Sequence, residues 1–373
     1  MDENTQSKNV TTATLVKSSF WYTVSSFLTR AMVFITTPIF TRILTKADYG
    51  SFTVYASWQN IFVIVLGLEI YNTLNRARFD YPNKKDFDGY ITSCLTLSTI
   101  ITAVAFALFL IFPSVFQDIL LLDRKFIFVM FAYLFTFPAY LVFQTKQRIE
   151  YRYKLNAGIA FVLVMASSIL AVVLALLMDS DPLFGRVIGQ YGLYVIAGAA
   201  FYFFFLKQSV SVKLSDYKYA LKIAIPLVFS FLASSILLSS DGLIVKHMCS
   251  DEQVSYISLT HTIANIMILF VQVLNNAWSP WFYDKLNVKE YPVIRKTYKG
   301  YVLLVTAGTL GVLLLAPEII LILGGKQYME ALDIIPIVII NGVFSALTFQ
   351  FVNYETFYKK AHFPRRSQAW SRC

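Results

Sequence analysis

Long apolar stretches alternate with short polar connections along the whole chain. Each stretch has about 18 to 25 residues, the length that an α-helix needs to cross the hydrocarbon core of a bilayer. The pattern predicts about ten transmembrane helices, which we number as spans 1 to 10. Their approximate limits are 18–41, 51–74, 89–113, 126–145, 156–178, 187–206, 220–245, 254–277, 300–323 and 334–356. The expected fold class is all-α, a polytopic membrane helix bundle.

Composition supports this class. Of 373 residues, 57% are hydrophobic and only 14% are charged, with a mean hydropathy of +0.59, whereas soluble domains carry about 25% charged residues. The net charge of +10 is spread over many connections, so we expect no nucleic-acid partner. The three cysteines (Cys94, Cys249 and Cys373) lie far apart and indicate neither a disulfide framework nor a metal site. We expect no metal and no cofactor.

Positive residues orient the chain. The N-terminal tail, the connections after spans 2, 4, 6 and 8, and the C-terminal tail together hold 24 of the 32 Lys and Arg residues. The opposite connections hold 7, and Arg30 lies inside span 1. The positive-inside rule therefore predicts a multi-pass protein with both termini in the cytoplasm.

A weak internal repeat divides the chain. Shifting the sequence by 204 residues aligns residues 41–64 with 245–268, so that helix, loop and helix fall in step. Such a shift predicts two pseudo-symmetric parallel halves around a central cavity, the architecture of many transporters. The expected domains are 1–212, a six-helix half, 213–361, an incomplete four-helix half, and 362–373, an atypical tail. Because the repeat calls for two more helices, we expect a C-terminally truncated chain.

Arg30 is the only charge between Lys17 and Arg42, near the midpoint of span 1. At about 100° per residue it shares one helix face with hydroxyl side chains. These are Ser19, Thr23, Ser26, Thr37 and Thr41. The 204-residue shift maps this face onto Ser230, Ser234 and Asp241 of span 7. Polar faces on both lead helices predict that they line the cavity, with Ser26, Arg30, Thr37, Ser234 and Asp241 as substrate-binding candidates.

Several segments resemble a known family. WYTVSSFLTRAMVFITTPIFTRILTKADYGSFTVY, at 21–55, is similar to the first helix and loop of bacterial Wzx-type polysaccharide flippases. GLEIYNTLNRARFDY (67–81) and LNNAWSPWFYDKL (274–286) resemble the ends of helices 2 and 8 of that family, which belongs to the multidrug/oligosaccharidyl-lipid/polysaccharide exporter superfamily.

The resemblance implies a transporter that flips undecaprenyl-pyrophosphate-linked oligosaccharide from the inner to the outer leaflet of the bacterial plasma (inner) membrane by alternating access. The product would feed surface polysaccharide: O-antigen of lipopolysaccharide, or capsule. The implied partners are the lipid-linked oligosaccharide, membrane lipids, and polysaccharide polymerase and chain-length proteins.

The candidate residues each allow two interpretations. Arg30 either binds the pyrophosphate of the lipid carrier, since a guanidinium suits phosphate oxygens, or is a structural arginine satisfied within the bundle. Asp241 and Glu69 are candidate gate or coupling residues, but Asp241 is also placed to cap its helix and Glu69 to reach Arg76. Asn60 suits either sugar hydroxyls or interhelical hydrogen bonds.

The remaining polar features have simpler explanations. The basic segments 84–90 and 146–154 are interpreted as topology signals that touch lipid head groups. Trp278 and Trp281 suit either sugar stacking or an aromatic belt. No catalytic residue is expected, because the three histidines have no partner at a recognisable spacing. The alternatives to a flippase are a multidrug antiporter of the same superfamily and a membrane-embedded polysaccharide polymerase.

Overall fold

A computed structural model describes residues 31–150 and 152–358, and every regular element in that part of the chain is helical. The α-helices are α1 (Ala31–Ile43), α2 (Lys46–Gly67), α3 (Ile70–Asp80), α4 (Lys84–Ile111), α5 (Pro113–Leu120), α6 (Arg124–Ile149), α7 (Tyr153–Leu177), α8 (Pro182–Gln208), α9 (Leu214–Met248), α10 (Asp251–Asn287), α11 (Tyr291–Leu314), α12 (Ala316–Leu323) and α13 (Ile335–Tyr358). A 3₁₀ helix, Lys326–Asp333, lies between α12 and α13.

Nine stretches among the described residues are long and apolar enough to cross a membrane, and they correspond to predicted spans 2 to 10. The all-α membrane helix bundle is therefore confirmed. Most of span 1 lies in residues 1–30, outside the described residues, and its last part is α1.

Two predicted spans are interrupted. Span 9 was expected as one helix over 300–323, but α11 ends at Leu314 and α12 begins at Ala316. Pro317 explains the break, because proline lacks the N–H that would continue the ladder of α11. Span 2 extends into α3 through Leu68 and Glu69, which have positive φ angles of 53° and 51°.

Side chains at the helix starts fix where the helices begin. Thr45 precedes α2, and its hydroxyl oxygen accepts the Asp48 N–H at 3.1 Å. The Asp181 carboxylate accepts the Phe184 N–H in the same way, and Pro182 occupies the first position of α8, where no N–H is needed. These residues set the turns that join successive spans.

Glycines on α8 allow close helix packing. A Cβ on Gly189 would lie 2.3 Å from the Ala171 Cα of α7, and one on Gly198 would lie 2.5 Å from the Thr136 carbonyl oxygen of α6. Small residues let backbones approach where lipid supplies no hydrophobic driving force between helices. The helices α6, α7 and α8 form the most extensively packed group of the first unit.

The chain divides into two compact units, residues 1–255 and 256–373. The first includes α9 because this helix packs on α2, α3 and α4. Its buried apolar residues form one cluster around Phe109, Ile127 and Met130 and another around Ile91 and Cys94. The second unit has its own core around Ile263, Ile320 and Met267. The halves predicted from the repeat, with their boundary at 212/213, stay a prediction.

Candidate functional site

The substrate-binding candidates of span 1 are only partly described. Ser26 and Arg30 lie outside the described residues. Thr37 lies on α1 with 3% of its surface exposed, and its hydroxyl donates to the Val33 carbonyl oxygen at 2.7 Å. Its polar group is therefore already satisfied by its own helix.

The candidates of span 7 lie on the exposed part of α9. Ser234 is exposed and donates to the Ser230 carbonyl oxygen at 3.1 Å, and Asp241 is exposed as well. The neighbouring Ser235 is 4% exposed and accepts a hydrogen bond from the Asn60 amide of α2 at 3.0 Å. Asn60 thus makes an interhelical hydrogen bond that ties α2 to α9.

Glu69 is the most confined of the acidic candidates. It is 3% exposed, lies at the break between α2 and α3, and accepts a hydrogen bond from the Asn72 amide at 2.7 Å. The Tyr71 hydroxyl donates to the same carboxylate. Arg76, the partner that the sequence suggested, pairs with Asp80 at 3.2 Å instead.

A positively charged side chain, that of Arg148, lies near Tyr71, which is a hydrogen-bond partner of Glu69. Arg148 of α6 is close enough to interact electrostatically with Tyr71, and its guanidinium donates to the Thr145 hydroxyl at 2.8 Å. Non-glycine residues with positive φ cost energy and cluster at functional sites. A buried carboxylate at such a break in a membrane helix is a candidate for ion or proton coupling.

Tyrosines from α2, α6 and α8 form a connected aromatic interior, which we call the tyrosine ladder: Tyr55, Tyr133, Tyr140, Tyr191 and Tyr194. Ring centroids are 5.2 Å apart for Tyr55 and Tyr191, 5.2 Å for Tyr133 and Tyr191, and 5.7 Å for Tyr140 and Tyr194. Sequence reasoning missed this set, although the spacing of seven residues on α6 and three on α8 places each pair on one helix face.

Beside the ladder, one face of α2 carries polar side chains without hydrogen-bond partners among the described residues. Gln59 is 3% exposed, and neither its amide oxygen nor its amide nitrogen has a partner there. The Tyr55 hydroxyl, one turn earlier on the helix, and the indole N–H of the adjacent Trp58 also have no hydrogen-bond partner among the described residues. A buried polar group without a hydrogen bond lowers the free energy of unfolding by about 1–3 kcal/mol. The polar side chains on this face therefore reduce the stability of the protein.

Arg186 lies near the start of α8 with 7% of its surface exposed. Its guanidinium carbon is 3.5 Å from the ring centroid of Phe52, 4.0 Å from that of Phe40 and 5.0 Å from that of Tyr49. Desolvated cation–π contacts are worth up to about 2 kcal/mol. The cation therefore fastens α8 to the end of α1, through Phe40, and to the start of α2, through Tyr49 and Phe52.

The start of α2 also meets the start of α10. A Cβ on Gly50 would lie 1.9 Å from the Asp251 carbonyl oxygen and 3.2 Å from the Ser255 nitrogen. Asp251 is also held by an ion pair with Lys246 across its own turn. Only glycine allows the starts of α2 and α10 to approach this closely, on the side that the positive residues assign to the cell exterior.

At the opposite ends of the helices, Lys146 of α6 pairs with Asp88 of α4. The ammonium also donates to the Gln208 side-chain oxygen at 3.1 Å and lies 5.5 Å from the Phe205 ring centroid. Both residues belong to basic segments that the sequence assigned to topology and lipid contact. For these two residues the predicted lipid contact is wrong, because both side chains are buried between helices, whereas the topology role stays a prediction.

The segment between α8 and α9 is fastened to α4. The Ser93 hydroxyl donates to the Asp216 carboxylate at 3.0 Å and accepts the Lys213 N–H at 3.2 Å. The Thr92 hydroxyl donates to the Ser209 carbonyl oxygen at 2.8 Å. Tyr81 donates to Asp216 at 2.9 Å, and burial together with that carboxylate raises the pKa of the Tyr81 hydroxyl. These hydrogen bonds fasten the start of α9 and the segment before it to α4 and to Tyr81.

Solved structures of other proteins have a similar fold. An outward-facing multidrug resistance MATE family transporter of the MOP superfamily matches with a TM-score of 0.58, at 16% identity, over 93% of this chain and 82% of that one. An inward-facing structure of such a transporter matches with a TM-score of 0.57, at 15% identity, over 89% and 81%. These likenesses establish the fold.

Sequence comparison identifies the family. Lsg locus protein 1 of Haemophilus influenzae is 21% identical over 353 residues, which cover 92% of this chain and 85% of that protein. The sequence profile of the family described as polysaccharide biosynthesis protein matches residues 15–285. The chain belongs to the polysaccharide biosynthesis protein family and has the fold of a MOP-superfamily transporter.

Proposed function

We propose that this protein is a flippase that moves undecaprenyl-pyrophosphate-linked oligosaccharide from the inner to the outer leaflet of the bacterial inner membrane, for O-antigen or capsule synthesis. The family supplies the link to polysaccharide, and the fold supplies the link to transport. Both termini lie in the cytoplasm in this proposal, as the positive residues indicate.

One observation carries the choice of substrate. The interior of the first unit offers neutral donors and acceptors beside aromatic rings: the tyrosine ladder, with Gln59 and Trp58 on α2. A sugar presents hydroxyl groups and apolar ring faces, which suit amides, phenols and aromatic surfaces. A site for cationic drugs would favour several available carboxylates. Besides Glu69, the buried carboxylates of the described first unit are Asp88, which pairs with Lys146, and Asp216, which accepts hydrogen bonds from Tyr81 and Ser93.

The charged part of the substrate needs a separate partner. Arg30 is proposed to hold the pyrophosphate, with Ser26, Thr37, Ser234 and Asp241 along the same path. Glu69 is proposed as the coupling residue, because its buried carboxylate lies at a helix break. If that carboxylate exchanges a proton during transport, the proton gradient is the energy source; if it exchanges a metal cation, the gradient of that cation is.

The test is flipping by the purified protein in proteoliposomes that contain a fluorescent lipid-linked oligosaccharide, with outer-leaflet substrate detected by a soluble glycosidase. We expect transport by the wild type, none by Arg30→Ala, and partial transport by Arg30→Lys, which keeps the charge but not the bidentate geometry. Export of a cationic dye without flipping would favour the multidrug antiporter. Chain elongation by the purified protein would favour the polymerase.

A further inference from the structure

The second unit contains an apolar groove of about 530 Å³ between α10 and α11. Its walls are Leu274, Trp278, Trp281, Tyr301 and Leu304, and Gly300 lines it from α11. The ring centroids of Trp278 and Trp281 are 4.9 Å apart, and those of Trp278 and Tyr301 are 5.1 Å apart. Trp278 is only 7% exposed, so it forms a packed wall and not a belt at the membrane surface.

A basic cavity of about 420 Å³ adjoins the start of α11, lined by Tyr291, Pro292, Arg295, Lys296 and Lys299. The three cations are exposed, and none has an ion pair with an acidic residue of the described chain. Lys296 lies one turn before Gly300 on the same helix face. The cations therefore stand where the apolar groove reaches the end of the helix.

We propose that the groove and the basic cavity together dock the lipid carrier, with one isoprenoid chain in the groove and its diphosphate on Arg295, Lys296 and Lys299. This inference rests on the proposed function and adds a second site to it, apart from Arg30. Arginine and lysine side chains make strong charge-assisted hydrogen bonds to phosphate oxygens. An amphiphile with a diphosphate head and an apolar tail matches both parts of the surface.

The apolar and aromatic lining of the groove suits a hydrocarbon chain, and the three adjoining cations suit a diphosphate better than the singly charged phosphate of a phospholipid. The positive-inside rule explains the cations by themselves, but it does not explain why they adjoin an aromatic groove on the same helix.

Gly300 is a suitable position for a substitution that fills the groove. A Cβ at this position meets nothing within 4 Å, so a larger side chain enters the groove without displacing backbone. Gly311 lies on the same helix, outside the groove, and a Cβ there also meets nothing within 4 Å. Gly311→Leu is therefore the matched control for Gly300→Leu.

The experiment measures binding of radiolabelled undecaprenyl diphosphate to the purified full-length chain in detergent. We expect Gly300→Leu to weaken binding at least tenfold and Gly311→Leu to leave it unchanged. The combined variant Arg295→Gln, Lys296→Gln, Lys299→Gln should lose the preference for undecaprenyl diphosphate over undecaprenol. Leu304→Trp, which also narrows the groove, replaces Gly300→Leu if that variant does not fold.

Three results overturn the inference: equal binding by Gly300→Leu and wild type, equal competition by phosphatidylglycerol, or competition by free pyrophosphate but not by undecaprenol. Flipping in proteoliposomes is measured in parallel. If the wild type flips the substrate and the groove variants bind undecaprenyl diphosphate as tightly as the wild type, the proposed docking site is wrong but the proposed function is retained. If the wild type binds in the groove but flips nothing, the proposed function fails instead.

Discussion

The Lys146 ammonium lies 2.6 Å from the Asp88 carboxylate, and these side chains, 58 positions apart in the chain, are 9% and 8% exposed. Breaking a buried pair leaves an uncompensated charge and costs about 3–5 kcal/mol, whereas replacing both partners by apolar residues is often close to neutral. We expect Asp88→Leu or Lys146→Met alone to lower the melting temperature in detergent strongly, and the double variant to recover most of the loss.

The exposed pair of Lys213 and Asp86, 3.8 Å apart, supplies the control. Asp86→Asn should leave the melting temperature unchanged, because exposed ion pairs contribute little. Equal losses in the single and double variants at Asp88 and Lys146 would contradict a coupled pair.

Gln59→Leu should impair transport without lowering stability. Its buried amide has no partner among the described residues, so Gln59→Leu removes a cost of about 1–3 kcal/mol and should leave stability unchanged or raised. Because the amide is proposed to meet sugar hydroxyls, flipping should fall at least tenfold. Gln117→Leu on α5 makes the same substitution outside the long spans and should leave flipping unchanged. Normal flipping by Gln59→Leu would remove the amide from the substrate path.

Glu69→Gln tests coupling at the helix break. The amide keeps the shape and an oxygen for the Asn72 hydrogen bond but removes the charge. We expect flipping driven by an imposed pH or sodium gradient to be lost, while downhill exchange of substrate continues. Glu318→Gln is the control, since it makes the same change in the first turn of the short helix α12. Gradient-driven flipping by Glu69→Gln would exclude the role.

Gly50→Ala tests the contact between the starts of α2 and α10. The added methyl group would lie 1.9 Å from the Asp251 carbonyl oxygen, and overpacking of this kind costs about 1–3 kcal/mol. The starts of α2 and α10 should therefore separate, which a disulfide between cysteines introduced at Ser51 and Glu252 would report as slower cross-linking. Gly158→Ala, where nothing lies within 4 Å, should change neither cross-linking nor flipping.

The sequence singled out Glu69 in the candidate site but not the residues around it. Glu69 stood out as an acid inside an apolar span, yet the sequence paired it with Arg76, which bonds Asp80 instead. The tyrosine ladder was overlooked because tyrosines in apolar spans are common and become informative only when α2, α6 and α8 place their rings together. Arg186 was counted as a loop charge, and its three aromatic neighbours come from two other helices.

The sequence by itself determined the all-α membrane class, the approximate positions of spans 2 to 10 and the family resemblance. These are local properties: the partition of about 20 consecutive side chains between lipid and water sets each span. The break of span 9 at Pro317, the burial of Lys146 with Asp88 and the contact of Gly50 with Asp251 were decided by the tertiary structure. Each depends on which helices pack together, and helix packing is set by the shapes of surfaces distant in the chain and not by local composition.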